Sequence, residues 1–190
     1  MSLTHPLVLA SESPRREQIL RMLGFNFTIA PSGVDETIPA NLAPDQVPEV
    51  LAQAKALHVS QQKKDALILG ADTLVVLDDR ILGKPSTPEE ALEMLRFLGG
   101  KTHKVYTGVA LALGGKIIDS GVACSEVTFV QHSENDLKAY VQTGEPMDKA
   151  GAYAIQGRGA FLVEGIRGCF FNVMGLPVQL TLRLLEVYRA

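Results

Sequence analysis

The residues best suited to chemistry stand near the start of the chain, where Ser11-Glu12-Ser13-Pro14-Arg15-Arg16 follows the apolar run Leu7-Val8-Leu9-Ala10. The apolar run predicts a short buried strand, and the pattern then switches abruptly to a helix start. Ser13 suits an N-cap, Pro14 suits a first helical position that needs no N–H, and Gly24 suits the residue just past the helix end. Ile19, Leu20 and Leu23 supply the apolar face. Arg15 and Arg16 therefore fall in the first turn, where the macrodipole is already positive and a cation costs about 0.3–1 kcal/mol. Backbone N–H groups, two hydroxyls and two guanidiniums at one spot make an anion site, and phosphate is the anion they fit.

A carboxylate appears next in an unusual setting. Ala66-Leu67-Ile68-Leu69-Gly70-Ala71-Asp72-Thr73-Leu74-Val75-Val76-Leu77 sets one acid between two apolar runs. Because an unpaired buried carboxylate is costly, Asp72 needs a reason. Two readings are open: an Asp capping a turn with its own backbone, or a carboxylate held at a strand end facing a metal or a water. Asp35-Glu36 lies between Gly33 and Pro39, in a loop, and by itself such a pair marks a solvated turn. Lys55 flanks the stripe Val47, Val50, Leu51, Ala54 and Leu57 of a helix predicted over 47–62; it can point into a cleft or snorkel to solvent, and by itself the second is expected. Gly83-Lys84-Pro85 lacks the glycine spacing and the following Ser/Thr of a Walker motif, so Lys84 alone is a weak phosphate candidate. From Asp148 to Gly159 runs a small-residue loop carrying charge and the amide of Gln156, and loops of that kind are commonly functional or mobile.

These residues need elements to position them. A strand is predicted over 25–30, a turn at Asp78-Asp79-Arg80, and a helix to about Leu98 opened by Thr87 with Glu90 closing a capping box. Strands over 102–113 and 116–130 meet at Gly114-Gly115, and Ser133 caps a helix through Tyr140. Further strands are expected over 161–164 and 168–174, and Gly175-Leu176-Pro177 opens a last helix to about Arg189. The expected fold class is α/β: a mixed twisted sheet with flanking helices, in two lobes around a central cleft. The 190 residues suffice for one domain over 1–190 or for two small lobes. A net charge of −3 argues against a broad nucleic-acid footprint, and no apolar run reaches the ~20 residues of a membrane span. The N-terminus lacks the pattern of a secretory signal. Cys124 and Cys169 form no metal-spaced or redox motif and are expected as reduced core thiols of a cytosolic protein.

Taken together, Ser11-Glu12-Ser13-Pro14-Arg15-Arg16, Val34-Asp35-Glu36, Gly70-Ala71-Asp72-Thr73, Gly83-Lys84-Pro85, Asp148-Lys149-Ala150-Gly151-Ala152-Tyr153, Ile155-Gln156-Gly157 and Met174-Gly175-Leu176-Pro177 resemble the Maf family of nucleoside triphosphate pyrophosphatases. Any one of these motifs is weak, and the set in the family's order is highly specific. The resemblance implies a single cytoplasmic Maf-like domain of the inosine-triphosphatase type, often a homodimer, without nucleic-acid polymer or membrane partners. It also implies Mg²⁺- or Mn²⁺-dependent hydrolysis of a nucleoside triphosphate to monophosphate and pyrophosphate. The Asp-Lys-Ala-Gly-Ala-Tyr and Ile-Gln-Gly motifs are similar to the branch acting on dTTP and UTP, and differ from the sister branch that prefers a methylated GTP. Ala154 stands where that branch commonly has Gly, with no polar role affected. By resemblance Asp72 is the proton acceptor, and Glu36 is a metal ligand or second base. Arg15, Thr73 and Gln156 match substrate-specificity positions, and Ser11 contacts phosphate. A triphosphate's roughly four negative charges suit Arg15, Arg16, Lys55 and Lys84. The rival reading, a non-catalytic nucleotide-binding regulator of cell division, would have no need of Asp72.

Overall fold

The sheet starts from an apolar triplet. In a computed structural model that describes residues 1–34, 37 and 42–190, β1 (Leu7–Leu9) is buried throughout. It pairs in parallel with β2 (Phe27–Ile29) and β3 (Leu67–Leu77), so that Val8 lies opposite both Thr28 and Ile68. β4 (Arg80–Leu82) returns antiparallel along β3 through Asp78-Asp79, whose φ angles of 50° and 61° suit a primed hairpin turn. β5 (Thr102–Leu113) and β6 (Lys116–Phe129) are joined by Gly114-Gly115, also at positive φ, and β7 (Val163–Arg167) pairs antiparallel with β6. The resulting seven-stranded sheet, in the order β2-β1-β3-β5-β6-β7 with β4 on β3, is mixed as expected. The helices are α1 (Pro14–Met22), α2 (Val47–Gln62), α3 (Pro88–Leu98), α4 (Glu134–Gln142), α5 (Phe170–Met174) and α6 (Val178–Leu185). Among the described residues, no helix is long and apolar enough to cross a membrane.

Local chemistry accounts for most boundaries. Gly24, at φ 74°, follows the end of α1, and the Ser133 hydroxyl accepts the Asp136 N–H at 3.2 Å to open α4. Thr87 accepts the Glu90 N–H at 3.2 Å, but the Glu90 carboxylate accepts from Ser86 at 2.6 Å, one residue earlier than a capping box would have it. Elsewhere tertiary context overrides the pattern. The strand expected at 161–164 begins only at Val163, because Arg158–Leu162 is a 3₁₀ turn. The strand expected over 168–174 is instead α5, where the buried Asn172 amide donates to the Val105 carbonyl at 2.9 Å and to Ser125 Oγ at 3.0 Å. The cysteines are not core thiols: Cys124 is exposed and Cys169 half-buried, because alternation along β6 turns Ser125 inward and Cys124 outward.

The chain divides into two compact units, residues 1–72, 107–123 and 175–190 in the first and residues 73–106 and 124–174 in the second. In the first unit, Val8, Ala10, Ile68, Ala110 and Ala112 of the sheet region pack with Ala52, Ala56 and Val59 of α2. In the second, His103, Phe129 and Tyr153 meet edge to face, with ring centroids 4.7–5.4 Å apart.

Candidate active site

The start of α1 is built differently from its simplest sequence reading. Ser13 holds the extended N-cap conformation but makes no side-chain cap hydrogen bond. The working hydroxyl is Ser11, only 8% exposed, whose Oγ accepts the Ser13 N–H at 3.2 Å and the Arg16 Nη1–H at 3.0 Å. Arg16 also donates from Nε to the Gly175 carbonyl at 2.8 Å. The guanidinium thus joins the first motif to Met174-Gly175-Leu176-Pro177, a role no spacing rule shows. Arg15, half-buried, lies on the same helical turn.

The buried carboxylate has a partner. Asp72 lies in the interior of β3, neither capping a turn nor ending a strand, and its Oδ1 accepts from Lys55 Nζ at 2.5 Å. Both side chains are nearly sealed, at 7% and 8% exposure, so Lys55 does not snorkel to solvent. The bounds of α2 match the sequence expectation, but of the expected stripe only Val47 and Leu51 are buried. Ala52, Lys55, Ala56 and Val59 are buried, while Val50, Ala54 and Leu57 are only half-buried. Gly70 explains the rotation. A Cβ there would collide with the Ala52 carbonyl and the Ala56 backbone, so α2 rests directly on the strand. Asp72, two residues on from Gly70, shares its face, and Lys55 precedes Ala56. An ion pair this dry has a large desolvation cost, which its close pairing offsets.

In the second unit, half-buried Thr73 continues β3 and exposed Lys84 follows β4. The Gly83 carbonyl accepts the Gly151 N–H at 3.0 Å, tying the Lys84 turn to the loop that carries Gln156. The Gln156 side chain is exposed, yet the loop before it is anchored, since Tyr153 is buried with its hydroxyl 2.9 Å from His103 Nε2. Burial lowers the His103 pKa to about 4, which keeps the imidazole neutral. Burial likewise pushes the Tyr153 phenol upward. His103, Tyr140 and Glu145 carry no motif and were invisible in the sequence; only their place around this loop distinguishes them.

Asp35 and Glu36 lie outside the described residues. Among the described residues no three His, Cys, Asp or Glu side chains gather to hold a metal. The donor set suits a hard divalent cation carried on phosphate oxygens, which needs only one or two protein carboxylates. Glu36 would be such a carboxylate.

A mixed sheet with flanking helices defines an α/β protein, and its first unit carries a cationic helix start and a sealed carboxylate–ammonium pair. The chain belongs to the Maf family, whose model, described as Maf-like protein, matches residues 6–188. It is 52% identical over 183 residues to a dTTP/UTP pyrophosphatase of Moorella thermoacetica, covering 96% of this chain and 94% of that one. It is 47% identical over 183 residues to a protein of the same name from Halalkalibacterium halodurans, covering 96% of each. Among solved structures it is similar to a nucleoside-triphosphatase / dITP/XTP pyrophosphatase of Mycobacterium abscessus, at TM-score 0.45 and 11% identity over 96% of this chain and 95% of that one.

Proposed function

We propose that this protein is a nucleoside triphosphate pyrophosphatase that hydrolyses dTTP and UTP, and modified pyrimidine nucleotides of the same shape, to monophosphate and pyrophosphate. What supports the reading is the sealed Asp72–Lys55 pair in a chain 52% identical to a protein named for that activity. Asp72 accepts the proton of the attacking water, and Lys55 holds its carboxylate in place. Arg15, Arg16, Ser11 and Lys84 bind the triphosphate, and Arg16 is aligned for this by Ser11 and the Gly175 carbonyl. Thr73 contributes to substrate choice. The Gln156 amide reads the base, its NH₂ facing O4 and its carbonyl facing N3–H of uracil or thymine. Guanine presents the same edge order and is excluded by size.

A divalent cation, Mg²⁺ or Mn²⁺, held by Glu36 and the phosphate oxygens would neutralise charge developing on the phosphates. We place the activity in the cytoplasm, as a homodimer that cleans the nucleotide pool. The test is pyrophosphate release from a panel of dTTP, UTP, CTP, dATP, GTP and 7-methyl-GTP. Release should be largest from dTTP and UTP, vanish with chelator, and return with Mg²⁺ or Mn²⁺. Tight nucleotide binding without turnover would point to a regulator, and preference for the methylated nucleotide would move the protein to the sister branch.

A further inference from the structure

Two and three residues past Gln156, Arg158 and Gly159 donate their backbone N–H groups to a single carboxylate, that of Glu145, at 3.0 and 2.8 Å. On the other flank, the Ala154 N–H donates to the Tyr140 hydroxyl oxygen at 3.1 Å. The two acceptors converge on Gly159, whose N–H reaches Glu145 and whose lack of a Cβ leaves room for the Tyr140 hydroxyl. One network therefore fastens the backbone on both sides of Gln156. The glycines around it are shaped to the same network. A Cβ at Gly157 would collide with the Glu145 carboxylate, and one at Gly159 would lie 2.5 Å from the Tyr140 hydroxyl oxygen. All of these residues belong to the second unit.

The arrangement meets a specific need of base reading. A rotating amide accepts cytosine as readily as uracil, since a flip exchanges its donor and acceptor. Holding it in one sense requires backbone groups at fixed places around it. We propose that Glu145 is a positioning residue for base selection: with Tyr140 it sets the backbone of residues 154–159 and thereby the orientation of the Gln156 amide. This rests on the reading of Gln156 as the base-reading residue.

Glu145→Gln keeps the shape, but its amide accepts from only one of the two N–H groups and turns a donor toward the other. Amide hydrogen exchange at Arg158 and Gly159 should quicken about tenfold or more, roughly the effect of one lost hydrogen bond. The ratio of kcat/KM for dTTP over CTP should fall about tenfold, through KM for dTTP with kcat nearly unchanged. Tyr140→Phe should act in the same direction, and the double variant should lose no more selectivity than Glu145→Gln alone, because both act through one network. Gln156→Glu, measured alongside, should lower activity on dTTP and UTP much more than on CTP. If it does, and Glu145→Gln leaves either the exchange or the dTTP:CTP ratio at the wild-type level, the proposal is overturned while the base reading stands. It is equally overturned if Glu145→Gln slows all nucleotides alike. If Gln156→Glu slows all pyrimidine nucleotides equally, the base reading fails and the proposal falls with it.

Discussion

Replacing Arg16 with lysine would keep the charge and lose the geometry. One ammonium cannot span Ser11 Oγ and the Gly175 carbonyl as the guanidinium fork does. Arg16→Lys should therefore lower both the melting temperature and kcat/KM, with each kcal/mol lost appearing as about 2–4 °C in a thermal melt. Arg15→Ala should lower kcat/KM ten- to hundredfold, about the worth of one charge-assisted phosphate contact. Asp72→Asn is expected to cut kcat at least ~100-fold, as loss of a general base does, and also to destabilise the fold by breaking a buried ion pair. Substituting both partners, Lys55→Met with Asp72→Leu, should restore the melting temperature, since apolar replacement of a buried ion pair is commonly neutral or stabilising. Activity should not return with it. A double variant that turned over dTTP would remove Asp72 from the chemistry.

At the scale of elements, the reach of Lys55 depends on how closely α2 approaches the sheet. Two glycines permit it: Gly70 of β3 lies against Ala52 and Ala56, and Gly108 of β5 against the Pro48 carbonyl. A methyl at either position forces the helix outward, and overpacking of this kind costs about 1–3 kcal/mol. Gly70→Ala and Gly108→Ala should lower stability comparably in denaturant titrations. Gly70→Ala should lower kcat more, because it parts Lys55 from Asp72. The same contact explains what the sequence could and could not convey. The bounds of α2 follow from its composition, whereas its buried face is chosen by two glycines on distant strands. Apolar periodicity pointed to Val47, Val50, Leu51, Ala54 and Leu57; the helix buries Val47 and Leu51 of these, with Ala52, Lys55 and Ala56 in place of the rest. Phe170 to Met174 is too short and too apolar to separate strand from helix by pattern, and its conformation is settled by where the Asn172 amide finds acceptors. The motifs at Ser11 to Arg16 and around Asp72 were legible because charge sits there against the local grain. Glu145 and Tyr140 break no local rule and so left no trace.

For the molecule as a whole, pH acts through His103. Its folded pKa is about 4, against about 6.5 in the unfolded chain, so between those values the unfolded state binds more protons. The stabilisation is complete above about pH 6.5 and is lost as pH falls toward 4, by at most about 3 kcal/mol. Denaturant titrations at about pH 7 and pH 4.5 should show this loss, and His103→Gln, which cannot charge, should show a smaller one. The order of the units along the chain carries a further consequence. The first unit closes only with residues 175–190: Leu3 bridges Arg189, Thr4 donates to the Tyr188 carbonyl at 2.8 Å, and Arg16 takes its backbone acceptor from Gly175. On the ribosome, a nascent chain carrying every residue assigned to the substrate, from Ser11 to Gln156, still lacks the segment that aligns Arg16. The backbone acceptor of Arg16 therefore exists only once Gly175 has been made, and a chain truncated before Gly175 should hydrolyse dTTP and UTP far more slowly than the full chain.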